Sequence, residues 1–207
     1  WNITERQPED YAKYLTEKQP GFSRKDGYII PYGDSPFDHE NVGEEVYFHI
    51  LNHAKKYVHI MTPYLILDNE MIDALTRAAK GGIEVQIIMP HIPDKWNAFA
   101  VAKTYYKELI EGGVRIYEYE PGFVHAKVFV ADDDTASVGT INLDYRSLYL
   151  HFENGVLMYH YDAVAEIRKD FEDIFAASTE VTEKYNGRKS VPARMGRGVL
   201  RLFSPLV

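Results

Sequence analysis

Residues 123–142 read FVHAKVFVADDDTASVGTIN, and this stretch holds the side chains best suited to chemistry. His125 and Lys127 stand two apart, so on a strand they share a face. The aspartates at 132, 133 and 134 mark a turn, and Thr135 begins a returning strand. A two-residue loop at 133 and 134 sets Thr140 opposite Lys127 and Asn142 opposite His125. Imidazole, ammonium, hydroxyl and carboxamide then converge on one patch, an arrangement that a one-residue slip in register would undo. Such a patch suits a phosphodiester. Lys127, Asn142 and the Thr140 hydroxyl can donate to non-bridging oxygens and stabilise charge at phosphorus. His125 can serve as nucleophile or as general acid and base near neutral pH. A His-x-Lys pair on a strand is also common surface decoration, and the residues alone leave both readings open.

The elements around this stretch follow a βα rhythm. A short β-type run, residues 27–33, is followed by a turn-rich stretch at 34–38. Residues 44–55 carry Val46, Ile50, Leu51 and Ala54 at helical spacing. Residues 57–63 read as a strand. Asp68 caps a helix to Lys80, stopped by Gly81 and Gly82, and residues 83–90 form another strand. Residues 96–111 form an amphipathic helix, again stopped by two glycines. Strands are expected at 114–119, 124–131, 135–139 and 153–159, and a last helix at about 162–177. Alternation of this kind implies a layered α/β sandwich with a mixed, mostly buried sheet. Residues 1–27, polar and broken by Pro8 and Pro20, read as a connector; 28–178 form the domain. Residues 179–207 form a basic tail with an apolar end.

Composition limits the partners. The 207 residues carry a formal net charge of -8, which argues against a general nucleic-acid binder, so an anionic substrate must be met by a local cationic site. The absence of cysteine excludes disulfide and thiol chemistry within the chain. No apolar run reaches the length of a spanning helix. His91, Asp94 and Lys95 follow a strand, a favoured place for ligand contact in α/β folds, or form plain loop. Arg146 either approaches the phosphate rim or is tied to Asp144 or Glu153. His49 and His53 are four apart on a helix without an obvious third ligand, and read as exposed helix residues rather than a metal site. Tyr105, Tyr106, Tyr117 and Tyr119 read mostly as packing. The tail either favours an anionic membrane surface or folds back over the domain.

From His125 onward the order His-x-Lys, Asp132, Gly139-Thr140-x-Asn142 resembles the HKD signature of the phospholipase D superfamily, with Thr140 where Ser is usual. Residues 62–65, 90–95, 105–106, 117–125 and 142–148, and the close at 201–206, are similar to the second half of bacterial cardiolipin synthases. The resemblance implies a phospholipase D-like αβα sandwich and a site of His125, Lys127, Asp132, Asn142 and Glu153. Gly139, Thr140, Arg146, His91 and Lys95 are expected at the substrate. It casts Asp132 as a structural member of the motif and Glu153 as the acid that orients the motif histidine.

The same resemblance implies condensation of two phosphatidylglycerol molecules into cardiolipin and glycerol through a phosphatidyl-histidine intermediate, with no metal and no cofactor. Two motif histidines share that chemistry, and this chain holds one. It therefore reads as an excised half whose N-terminal partner motif lies before Trp1, or which pairs with a second copy. By the same analogy the N-terminal histidine is the nucleophile and His125 the acid and base. The parent enzyme is expected peripherally at, or anchored in, the bacterial cell membrane, on its cytoplasmic side, with this fragment soluble. The rivals are another phospholipase D-type hydrolase and a half-domain that only completes its partner.

Overall fold

The computed structural model describes residues 27–187 and 200–201. In chain order the elements are β1 (Tyr28–Asp34), α1 (Val42–His53), β2 (Tyr57–Met61), β3 (Leu65–Ile66), α2 (Asn69–Lys80) and β4 (Glu84–Pro90). Then come α3 (Trp96–Glu111), β5 (Arg115–Tyr119), β6 (Val128–Ala131), β7 (Thr135–Gly139), β8 (Leu143–Asp144) and α4 (Tyr145–Tyr149). The last are β9 (Glu153–Tyr159), α5 (Asp162–Ala176), β10 (Ser178–Glu180) and α6 (Thr182–Tyr185). Eight strands form one sheet in the order β1-β9-β7-β6-β2-β4-β5-β10, while β3 and β8 pair separately. The run β2, β4, β5 is parallel and every other pairing in the large sheet is antiparallel, so the sheet is mixed.

Local sequence explains the long elements. The Asp68 carboxylate accepts the Met71 N–H and caps α2. Both α2 and α3 stop at paired glycines, whose second members, Gly82 and Gly113, take left-handed backbone. Along β6 the side chains alternate between two cores. Phe129 and Ala131 join Tyr47, Leu75 and Tyr106 under α1, α2 and α3, whereas Val128 and Val130 join Ile88, Val164 and Phe171 under α5. Helices thus cover both faces, giving an αβα sandwich, and the central strands β2, β4 and β6 are buried almost throughout. Sheet and core run on past residue 178, because β10 pairs with β5 and α6 sets Tyr185 against Tyr106. Among the described residues no helix is long and apolar enough to cross a membrane.

Residues 1–26 of the expected connector lie outside the described residues, as does most of the basic tail. Near the end of the tail, Arg201 donates to Glu108 Oε2 at 2.7 Å and to the Thr104 carbonyl at 3.1 Å, so it lies against α3.

Candidate active site

The hairpin that carries the motif differs from the sequence expectation by one residue. Ala131 pairs with Thr135 and Val128 with Val138, so the loop has three residues, 132–134, rather than two. Lys127 therefore faces Gly139, whose N–H donates to the Lys127 carbonyl at 3.2 Å, and Thr140 is not its partner. The cause is Asp132. Its carboxylate accepts the backbone N–H groups of Lys55, Lys56 and Tyr57 at 2.6, 2.9 and 3.0 Å. To reach them Asp132 takes left-handed backbone at φ 53, as does Asp133 at φ 64, where Tyr57 and Arg168 hold its carboxylate. The strand is also shorter than expected: residues 124–127 lead into β6 without belonging to it.

At the opposite end of β6 from Asp132 lie the groups fit for phosphate chemistry. His125 is exposed, with its ring 5.5 Å from that of Phe123. Lys127 is buried, and its ammonium donates to the His125 carbonyl at 2.6 Å. Burial pulls Lys127 below the usual lysine pKa, against the opposing pull of the Glu153, Asp144 and Asp94 carboxylates. Acids from three different segments thus act on the ammonium.

Glu153 stands first on β9. The Thr140 hydroxyl donates to its Oε2, and His151 Nδ1 lies 3.7 Å from its Oε1. The acid expected to orient His125 is engaged by Thr140 and His151. Thr140 is fixed further by Asn154, whose N–H donates to its hydroxyl at 3.0 Å. Gly139 has a packing reason to be glycine: an added Cβ would meet the Asn154 carbonyl oxygen at 2.4 Å and Gly155 Cα at 2.7 Å.

Asn142 donates through Nδ2 to Ser147 Oγ at 2.8 Å, and its Oδ1 is buried without a partner among the described residues. It lines a cavity of about 190 Å³ with Tyr64, Lys95, Asp144, Arg146 and His151. Burial raises the Asp144 carboxyl pKa, while the backbone amides of Ser147 and Arg146 oppose the rise. The structure therefore brings Asn142, Arg146 and Lys95 to one cavity, with Arg146 exposed at its rim. His91 is not among its lining; its Nδ1 meets the buried Glu118 at 3.1 Å and its Nε2 faces Glu120 at 3.9 Å. His151, Tyr64 and Ser147 escaped sequence reasoning. Tyr64 and Ser147 lie in the segments 62–65 and 142–148 that carry the resemblance, and His151 stands two residues before Glu153. A larger cavity, about 360 Å³, lies by Asp132, His49 and Tyr28. It holds none of the phosphate-binding candidates, so chemistry rather than volume locates the site.

The chain matches the family described as "Cardiolipin synthase, PLD-like domain" over residues 47–175. It is 51% identical over 207 residues to an uncharacterised protein of Streptococcus mutans, covering 100% of this chain and 44% of that one. It is 38% identical over 164 residues to cardiolipin synthase 2 of Bacillus cereus, covering 79% of this chain and 32% of the relative. The chain thus spans less than half the length of these relatives. Two solved structures share the fold at 17% identity. Nuc from Salmonella typhimurium, a phospholipase D family member, has a TM-score of 0.63 over 74% of this chain and 97% of its own. Phosphatidylserine synthase from Haemophilus influenzae has a TM-score of 0.67 over 87% of this chain and 48% of its own. A match reaching through the whole hairpin and its cavity leaves one assignment: the chain belongs to the phospholipase D-like domain family of cardiolipin synthases.

Proposed function

We propose that this chain is the C-terminal catalytic half of a cardiolipin synthase, moving a phosphatidyl group between two phosphatidylglycerol molecules. The observation that carries the reading is a local cavity lined by Lys95, Arg146 and Asn142, in a chain of net charge -8. Lys127, Asn142 and Arg146 hold the non-bridging phosphoryl oxygens and stabilise the charge that grows there during attack. The nucleophile is the motif histidine of the preceding half, or of a second copy. Its nitrogen bonds to phosphorus as the bond from phosphorus to the glycerol headgroup oxygen breaks. His125 gives that oxygen its proton and releases glycerol. His125 then takes the proton of the incoming phosphatidylglycerol hydroxyl. That oxygen attacks phosphorus, the phosphorus–nitrogen bond breaks, and cardiolipin leaves. The reaction belongs at an anionic membrane surface, where both lipids reside.

The test uses phosphatidylglycerol vesicles, this chain alone and this chain joined to the motif-bearing half of its parent, each beside a His125→Ala control. Histidine-dependent cardiolipin with an equal amount of glycerol supports the reading. Phosphatidic acid in its place makes the protein a hydrolase, and no product in either arm removes the catalytic assignment. Cardiolipin from the chain alone means that two copies rebuild the site.

A further inference from the structure

Tyr149 ends α4, and its hydroxyl touches two acids at once. It lies 2.7 Å from Glu44 Oε1 on α1 and also against Asp68 Oδ2 at the start of α2. Both acids are buried, each 7% exposed. A phenol has a single proton to donate, so it cannot serve two carboxylates. Asp68 already accepts the Met71 N–H at 2.7 Å, so its carboxyl group is engaged as an acceptor. The proton missing from the count therefore belongs on Glu44. A directed chain results: the Glu44 O–H donates to the Tyr149 oxygen, and the Tyr149 O–H donates to Asp68.

The surroundings agree. The charged groups acting on Glu44 and Tyr149 are Glu45 from α1 and Asp68 at the start of α2, both acids. Burial, the largest cause, pushes Glu44 up to about 7, and the Asp68 and Glu45 carboxylates push the same way.

What the chain of protons holds in place is α4. With five residues, α4 is too short to be stable on its own internal bonds. Asp144 fixes its first turn, accepting the Ser147 N–H at 2.9 Å, and Tyr149 fixes its end. Between those two anchors stand Arg146 and Ser147, and Ser147 Oγ receives Asn142 Nδ2. All three line the cavity. We propose that Glu44, as a neutral acid bonded to Tyr149, is a positioning residue for the site: it clamps α4 and thereby sets Asn142 and Arg146. When Glu44 loses its proton, two buried carboxylates confront one hydroxyl. Repulsion then frees the end of α4, and the carboxamide and guanidinium lose their fixed places. The assignment of these two groups to a phosphoryl oxygen rests on the phosphatidyltransferase reading; the clamp itself does not.

Two readouts separate the two. The first is hydrogen exchange of the α4 amides at about pH 6 and about pH 8.5, corrected for intrinsic rates, in this chain. Protection should fall about tenfold on going alkaline. Glu44→Gln, whose amide donates at either pH, should hold it constant, and Tyr149→Phe should lose it at both. Wild-type protection that does not change with pH overturns the clamp, as does a Glu44→Gln protein that falls in step with wild type. The Asn142 side-chain amide resonances should shift with the same midpoint near neutrality, and resonances that ignore pH also overturn it. The second readout is turnover of phosphatidylglycerol by the chain joined to its preceding half. KM should rise with pH in wild type more than kcat falls, and stay level in Glu44→Gln. If the exchange pattern appears but no lipid is turned over, the clamp stands and the phosphatidyltransferase reading fails.

Discussion

Asp132 and Lys127 belong to one motif and do different work. The Asp132 carboxylate gathers three successive backbone amides between α1 and β2, so its removal strands three donors and opens the turn. Asp132→Ala should lower the unfolding free energy by about 2 kcal/mol in urea titration, given the usual worth of hydrogen bonds to charged groups. A variant as stable as wild type would remove this role. Lys127 is buried, and the Glu153, Asp144 and Asp94 carboxylates favour its charged form against the effect of burial. Lys127→Met keeps the volume and removes the charge. Turnover should drop by about 10²- to 10³-fold, the usual cost of one lost oxyanion donor, with little change in melting temperature. Loss of folding in place of turnover would make the ammonium structural.

At the scale of elements, the site depends on how closely β7 and β9 approach. Gly139 and Gly155 pair across that junction, where a methyl group on Gly139 would strike backbone on two residues. Gly139→Ala should cost about 1–3 kcal/mol, as overpacked positions do, and should expose the amides of residues 153–155 to exchange. Unchanged exchange there would show that the strands can part freely. This junction also marks the limit of what could be read from the residues. The long helices were legible because caps and glycine stops are local, and α3 runs over the very residues its periodicity predicts. The hairpin was legible as a hairpin, but its register was not. The loop length is set by Asp132 reaching residues 55–57, some 75 positions away, and no local pattern encodes that. The short elements β3, β8, β10 and α4 were missed for the same reason, being made by tertiary pairing rather than by propensity. Spacing offered His125, Lys127, Thr140 and Asn142 as candidates, on a hairpin register that the structure shifts by one residue. Ser147, His151 and the clamp of Glu44 with Tyr149 could not be named from spacing, since the last joins residues 105 positions apart.

Across the whole molecule, two buried groups set opposite responses to pH. His59 lies 6% exposed against Tyr57 and Phe175, with Nε2 3.1 Å from Glu84, and burial lowers its pKa from 6.5. Below pH 6.5 the unfolded chain binds a proton that the native one refuses, so this group's stability is lost as pH falls. Glu44 works the other way. Between 4.5 and about 7 the native chain keeps a proton that the unfolded one has released, so its stability is lost as pH rises. The slopes offset each other where the windows overlap. Urea midpoints measured below about pH 6.5 should therefore fall more with acidification in Glu44→Gln than in wild type, and less, or rise, in His59→Phe. Parallel curves for all three proteins would rule out both assignments. The division of labour within the motif carries a last consequence, for descent. In a lineage released from catalysis, His125 and Lys127 would be free to drift, whereas Asp132 and Gly139 answer to backbone that must still fold. The motif would erode unevenly, and its aspartate and glycine would outlast its chemistry as a fossil of it.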